Sequence, residues 1–286
     1  MIVITGVSGR LGGEVAKAIA TRTGPDGVRL GSRHPEKLAD FAGRGFATAR
    51  VDFDDSETLR AAFDGADVVL MVSADAHDHE TRMAQHRRAI DAAKAAGVGR
   101  LVYTSFTNAV RGSLFPFAAA HAATEDYLTA SGIDHTIVRN QLYADNISGA
   151  VTRARATGLL SLPSAAGRVA YISHEELGAA IAGALVGDGH SRRICELTGP
   201  EAVDLFDIAA MLGRLWRREV RAEAMSESDF AAGFRARGVP DPIVEAVLGL
   251  WRACAAGEYD LVSGEAASLA GRPIETMRTY LARIAA

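Results

Sequence analysis

The chain is 286 residues long, 48% hydrophobic and 23% charged, with a formal net charge of −4 at neutral pH. These are globular proportions that exclude a disordered or fibrous role, and the scattered basic residues within an acidic total give no footprint for nucleic acid or an anionic membrane. The two cysteines, Cys195 and Cys254, form no Cys-x-x-Cys pair, which argues against a zinc knuckle or a disulfide framework and suits a reducing compartment.

Met1 leads straight into Ile2-Val3-Ile4, without a basic leader segment and cleavage site. Charges or glycines interrupt every apolar stretch before the roughly 20 residues a membrane-spanning helix needs. A soluble, cytoplasmic chain with no membrane partner is expected. Short apolar runs then alternate with longer helix-like segments, the rhythm of βαβ units building a parallel sheet. Strands are predicted at Ile2 to Thr5, Val28 to Gly31, Thr48 to Val51, Val68 to Val72, Leu101 to Thr104 and His135 to Val138, most of them apolar enough to be buried on both faces. Apolar spacing through Leu11, Val15, Ala18 and Ile19 predicts the first crossover helix, and a second, containing Ala89 to Ala96, stops at Gly97. The alanine-rich stretch Phe117 to Ala123 starts another after Pro116.

After Arg139 the rhythm weakens, and a loop containing Asn140 to Asn146 leads to a helix through Val151 that ends at Gly158. Ser173 and Glu176 have capping-box spacing, predicting a helix from His174 to about Val186, before a last strand, Ile194 to Leu197, rejoins the sheet. Beyond Gly199-Pro200, helical segments are predicted near Phe206 to Trp216, Asp229 to Arg237, Ile243 to Ala255 and Ile274 to Ala285. The fold class is therefore α/β: a Rossmann-type doubly wound parallel sheet over residues 1–198, with a smaller, mainly helical C-terminal substrate lobe over residues 199–286.

Gly6-Val7-Ser8-Gly9-Arg10-Leu11-Gly12 follows the first strand and opens the first helix, giving Gly-x-x-Gly-x-x-Gly in the context that binds a dinucleotide. Glycines let the backbone approach a pyrophosphate, and the helix N-terminus attracts its charge. Gly6, Val7, Ser8, Gly9, Arg10 and Leu11 are thus expected at the cofactor. The second strand ends in Gly31-Ser32-Arg33, where an NAD-preferring site would usually place an acid. Arg33 instead suits a 2′-phosphate, supplemented by Ser8, Arg10 and Lys37, so NADPH is favoured over NADH. Asp52 could accept from the adenine amino group with Phe53 beside the ring; alternatively it is one of several helix-entry acids with Asp54 and Asp55.

The glycine turn, Arg33, Ala92-Ala93-Lys94-Ala95-Ala96-Gly97-Val98 and Val102-Tyr103-Thr104-Ser105 together resemble the NmrA-like atypical short-chain dehydrogenases. His121-Ala122-Ala123-Thr124-Glu125, Arg139-Asn140 with Tyr143 and Asn146, and Ser228-Asp229-Phe230-Ala231-Ala232 are similar to the bacterial type 2 NADPH:quinone oxidoreductases, to which triphenylmethane dye reductases look related. The resemblance implies that Ser73 and Ala74, followed by Asp75, line the cofactor, and that Asn140 to Asp145 border the nicotinamide and substrate pocket. The same fold carries reductases and cofactor-sensing regulators, so the substrate is not implied with it.

Ordinary short-chain dehydrogenases protonate the product oxygen with a Ser and a Tyr-x-x-x-Lys pair. Here Ser105 remains, but His121 and Glu125 stand where the tyrosine and lysine would be. Reducing a ketone makes an alkoxide that needs a donor, whereas reducing a quinone makes a phenolate-like anion that water can protonate. His121 could lend a proton with Glu125 orienting its imidazole, or the two are a packing pair at the same spacing. Asn140 and Tyr143 carry donors at the end of the sixth strand and could hold a substrate oxygen, though Tyr143 equally suits a core. His77, His79, Glu80 and His86 raise a metal reading, but Asp75 to Glu80 fit a solvated loop above the cofactor better, and no metal is expected. The expected activity is NADPH-dependent hydride transfer to a small acceptor such as a quinone, without flavin. Reduction of cationic dyes, or cofactor sensing without turnover, are the alternatives.

Overall fold

The computed structural model describes residues 1–187 and 189–285. In chain order the elements are β1 (Ile2–Ile4), α1 (Arg10–Arg22), β2 (Val28–Ser32), α2 (Ala39–Gly43), β3 (Ala47–Arg50), α3 (Ser56–Phe63), β4 (Val68–Met71), α4 (His79–Ala95), β5 (Arg100–Phe106), α5 (Ala118–Ser131), β6 (His135–Asn140) and α6 (Ser148–Thr157). They continue with β7 (Leu159–Leu162), α7 (His174–Val186), β8 (Arg193–Leu197), α8 (Leu205–Trp216), β9 (Arg221–Ala224), α9 (Glu227–Arg235), α10 (Asp241–Ala255), α11 (Glu265–Ala270) and α12 (Met277–Ile284). Among the described residues, seven strands form one sheet in the order β3-β2-β1-β4-β5-β6-β8, every pair parallel. The Rossmann-type α/β expectation holds.

Strand side chains alternate between the two faces, and here both faces are apolar. Ile4, Leu30, Leu70, Val102 and Val138 pack with Leu11, Val15 and Ile19 of α1 and Leu177 and Ile181 of α7. Val3, Val69, Met71, Leu101, Tyr103 and Ile137 pack instead with Leu59 and Phe63 of α3, Ile90 of α4 and Leu128 of α5. Buried on both faces, these strands read as continuous apolar runs. A third core joins Leu142, Ile147, Val151, Leu160 and Leu162 to Leu205, Ile208, Leu212, Val244, Trp251 and Tyr280. This core, which underlies the C-terminal helices, also includes Phe106 of β5, so it draws on residues well before 199.

The predicted strands fall within two residues of those observed, with β5 and β6 each extending further, so that Ser105 and Asn140 are strand residues and the loop begins after Asn140. The last strand does rejoin the sheet, pairing Ile194 with Ile137 and Leu197 with Asn140. The capping box at Ser173 is only half formed. Ser173 accepts from the backbone of Glu176, but the Glu176 carboxylate turns to Arg272 at 2.7 Å and to the Glu275 amide. A small parallel pair, β7 with β9, lies in segments for which no strand was predicted. The Asp75 to Glu80 stretch is only partly a loop, because α4 begins at His79 with Asp78 as its N-cap, accepting from the Thr81 amide at 2.7 Å.

Candidate active site

The glycine turn leaves β1 through Gly6, whose φ of +68° is a left-handed conformation that L side chains rarely adopt. A Cβ on Gly12 would lie 2.3 Å from the Gly6 carbonyl oxygen, so the first turn of α1 can fold against the strand end only with glycine there. The turn is anchored laterally to β2: the Val7 amide donates to the Gly31 carbonyl at 3.0 Å, and the Ser32 hydroxyl donates to that of Ser8 at 2.8 Å. Val7 and Leu11 turn their side chains into the core, which leaves Gly6, Ser8 and Gly9 facing outward.

Beside them lies an open cleft of about 450 Å³ across the C-terminal ends of β1, β2 and β4. Of the residues predicted for the cofactor, it gathers Gly6, Ser8, Gly9, Arg33, Asp52, Phe53, Ser73, Ala74 and Asp75, together with Lys37 and four that were not predicted, His34, Val51, Val72 and Gln85. Arg10 lies around the turn, in an adjoining cavity of about 420 Å³ that includes Asp145, His174 and Arg283. Asp55 caps α3, accepting from the amides of Glu57 and Thr58. Asp52 instead accepts from the Asp54 amide at 3.1 Å and faces the cleft.

The wall formed by the end of β4 is pinned amide by amide. Val72 N–H donates to Thr5 Oγ1 at 3.0 Å, Ser73 N–H to Thr104 Oγ1 at 2.9 Å, and Ala74 N–H to His86 Nε2 at 3.0 Å. Accepting at Nε2 places the His86 proton on Nδ1, which faces Thr124 Oγ1 at 2.8 Å, and that hydroxyl donates to the Ala120 carbonyl. His86 is fully buried, and burial with the nearby Arg82 charge lowers its pKa to about 3. It is a neutral structural acceptor inside the fold, bonded to the segment that leads into the loop expected at Asp75 to Glu80. Among the described residues, no group of three or more His, Cys, Asp or Glu side chains is arranged to hold a metal. Arg82, also buried, donates two hydrogen bonds to the Ala76 carbonyl and lies over the Phe117 ring at 4.4 Å.

His121, Asn140 and Tyr143 do not line this cleft: His121 is on α5, Asn140 ends β6 and Tyr143 follows it. Of the two readings of His121 and Glu125, the one in which Glu125 orients the imidazole is not met, because the two side chains take different partners. His121 Nδ1 meets the Tyr103 hydroxyl at 2.8 Å, and burial, with the Arg82 charge, holds its pKa well below the usual histidine value. Glu125 accepts instead from Ser105 at 2.5 Å and from Arg139 at 2.9 and 2.6 Å, because the β5 and β6 extensions bring both residues beneath α5. Arg139 also reaches Glu196 at 3.1 Å, whose pKa is raised by burial. Ser105 is therefore committed to a carboxylate.

Asn140 is 1% exposed, and neither its amide nitrogen nor its oxygen makes a hydrogen bond of ordinary geometry among the described residues. An unmet buried amide is costly, of order 1–3 kcal/mol, and such costs concentrate where a ligand supplies the missing partner. Tyr143 packs its ring on His174 at 4.1 Å, and burial raises its pKa. His174 Nδ1 lies 2.7 Å from Asp145, whose other oxygen accepts from Arg10 at 2.6 Å. The His174 contact chiefly lowers the Asp145 pKa, to about 2.

Residues 6–185 match the model of a family described as NAD(P)H-binding. The chain is 32% identical over 245 residues to quinone oxidoreductase 2 of Escherichia coli (strain K12), covering 86% of this chain and 85% of that protein. The solved NADPH complex of the NADPH-dependent quinone oxidoreductase from Escherichia coli superposes with a TM-score of 0.91 at 30% identity, covering 99% of each chain. Triphenylmethane reductase from Citrobacter sp., complexed with NADP(H), gives a TM-score of 0.91 at 26% identity over 100% of this chain and 99% of that one.

Proposed function

Since the chain belongs to the NAD(P)H-binding, NmrA-like family, we propose that it is an NADPH-dependent reductase acting on quinones or related small electrophilic acceptors. The glycine turn and the N-terminus of α1 would hold the pyrophosphate, Arg33 and Lys37 the 2′-phosphate, and Asp52 with Phe53 the adenine. Gly12 as a requirement of the turn and the unmet Asn140 amide fit a dinucleotide with a second ligand at the β6 end. NADPH would supply a hydride. Val72, Ser73 and Ala74, fixed by Thr5, Thr104 and His86, form the rigid wall against which it is oriented.

The observation that carries the choice of acceptor is the state of the groups at the hydride-receiving end. Ser105 is held by Glu125, His121 is neutral, buried and bonded to Tyr103, and Asn140 offers an amide that can donate a hydrogen bond without giving up a proton. Such a site stabilises a developing oxyanion but supplies no ready acid. A quinone suits it, because its reduced anion is phenolate-like, with a conjugate acid near pKa 10 for an ordinary phenol, about, and water completes the protonation. The likeness to quinone and triphenylmethane reductases supports the same class.

The test is NADPH oxidation, followed at the nicotinamide absorbance, by flavin-free protein with benzoquinones, naphthoquinones, cationic dyes and simple ketones. Saturable turnover of quinones with NADPH preferred over NADH, and none of ketones, is expected. Tight NADPH binding without turnover of any acceptor would replace the reductase with a cofactor sensor.

A further inference from the structure

Both arginines flanking the glycine turn are already occupied by carboxylates. Arg10 is held by Asp145 at 2.6 Å, and Arg33 by Asp75 at 2.7 Å. The second pair spans the cleft, since Arg33 follows β2 and Asp75 follows β4, and both line the cavity. The other acids at that end are engaged elsewhere: Asp52 with Arg50 at 3.5 Å, and Asp54 with Arg88 and Gln85 at 2.6 Å each. Lys37 and His34 line the cavity on the β2 side. Asp75 is thus the carboxylate that Arg33 holds where a 2′-phosphate would go.

We infer that Asp75 is a specificity-determining residue: it neutralises Arg33 when the ligand carries no 2′-phosphate, and competes with that phosphate when the ligand does. A ligand ending in neutral ribose hydroxyls can leave the Arg33–Asp75 pair intact. A ligand with a 2′-phosphate must break the pair and bring its own charge near the displaced carboxylate. The residue therefore tempers the preference for NADPH that Arg33 confers, by weakening NADPH rather than by tightening NADH. This inference rests on the cleft being the dinucleotide site.

The two side chains are 56% and 73% exposed, so the pair is a weak one, and its loss is expected to change affinity by about two- to fivefold. Asp75→Asn keeps shape and removes the charge at an exposed position. Dissociation constants for NADPH, NADH and 2′,5′-ADP, measured by calorimetry on wild type, Asp75→Asn and Asp75→Glu, give the test. Asp75→Asn should tighten NADPH and 2′,5′-ADP by that factor, leave NADH within error, and Asp75→Glu should resemble wild type. Weaker NADPH binding, or an equal change for NADPH and NADH, would overturn the inference by making Asp75 a direct ligand contact. Wild-type binding of NADPH with no effect of Asp75→Asn would overturn it while leaving the proposed function standing; failure of the wild type to bind either phosphorylated ligand would remove both.

Discussion

Replacing Arg33 probes the choice of cofactor directly. Its guanidinium is 56% exposed and its described carboxylate partner is Asp75 at 2.7 Å. A charge-assisted hydrogen bond contributes about 1.5–3 kcal/mol when well shielded, and solvent exposure reduces this to about 1–2 kcal/mol here. With a tenfold change per 1.4 kcal/mol, roughly, Arg33→Gln should raise the NADPH dissociation constant by about 5- to 30-fold, while NADH stays within about twofold. Arg33→Glu should go further, because it adds a second carboxylate beside Asp75 facing the phosphate. Titration of cofactor fluorescence at fixed ionic strength measures both constants, and raising the salt should narrow the gap between wild type and variant. Equal weakening of NADPH and NADH by either substitution would refute the assignment of Arg33 to the 2′-phosphate, because only a phosphate-specific contact distinguishes the two ligands.

Further outcomes follow from the buried polar groups. His86→Leu removes the acceptor of the Ala74 amide and should lower the melting temperature and raise KM for NADPH, whereas His86→Gln, which can still accept, should restore much of the affinity; identical behaviour of the two variants would show that only packing matters. His86 has a folded pKa of about 3 against an ordinary value of 6.5, so the unfolded chain binds more protons between those values, and stability should be complete above about pH 6.5 and fall as pH drops toward 3. Thermal denaturation from pH 7 to pH 5 should show this decline, and the slope should be shallower in His86→Gln. Asn140→Ala removes an amide that has no partner among the described residues, so relief of the unmet polar group offsets the lost packing and the melting temperature should change little, while quinone turnover falls by about 3- to 10-fold, one hydrogen bond's worth. A large loss of stability without loss of turnover would assign Asn140 to the fold instead.

The doubly wound sheet is legible because its strands are buried on both faces and its crossovers are punctuated by glycines: Ile2 to Ile4, Val68 to Met71 and Leu101 to Tyr103 are apolar runs that leave few alternatives. The glycine turn and Arg33 are equally legible, since position relative to the strand end determines what each faces. Less visible are elements whose stability comes from distant partners. Strands β7 and β9 pair Leu159–Leu162 with Arg221–Ala224, and Arg-Ala-Glu-Ala, although it alternates, is only four residues long, mostly exposed and built from residues of low strand propensity. His86 was obscured for another reason. In sequence it lies among His77, His79 and Glu80, but α4 starts at His79, and two helical turns later the helix has moved from solvent into the interior.

The His121–Glu125 spacing illustrates a limit of local pattern. Four residues apart on a helix makes a pair adjacent, yet each side chain takes a partner from the sheet below. Tyr103 and Ser105 project from β5 two residues apart, on one face, and meet His121 and Glu125 respectively. Once Arg139 from β6 pairs with Glu125 through two hydrogen bonds, the carboxylate is compensated in place, and reorienting it toward His121 would leave the half-buried arginine with Glu196 alone. The helix positions that might have formed an acid–base pair instead fasten α5 to the sheet. On the proposed reading, proton delivery falls to solvent, and this division of labour, with polar fastening below and an unmet Asn140 amide above, is what would favour acceptors whose reduced form needs no strong acid.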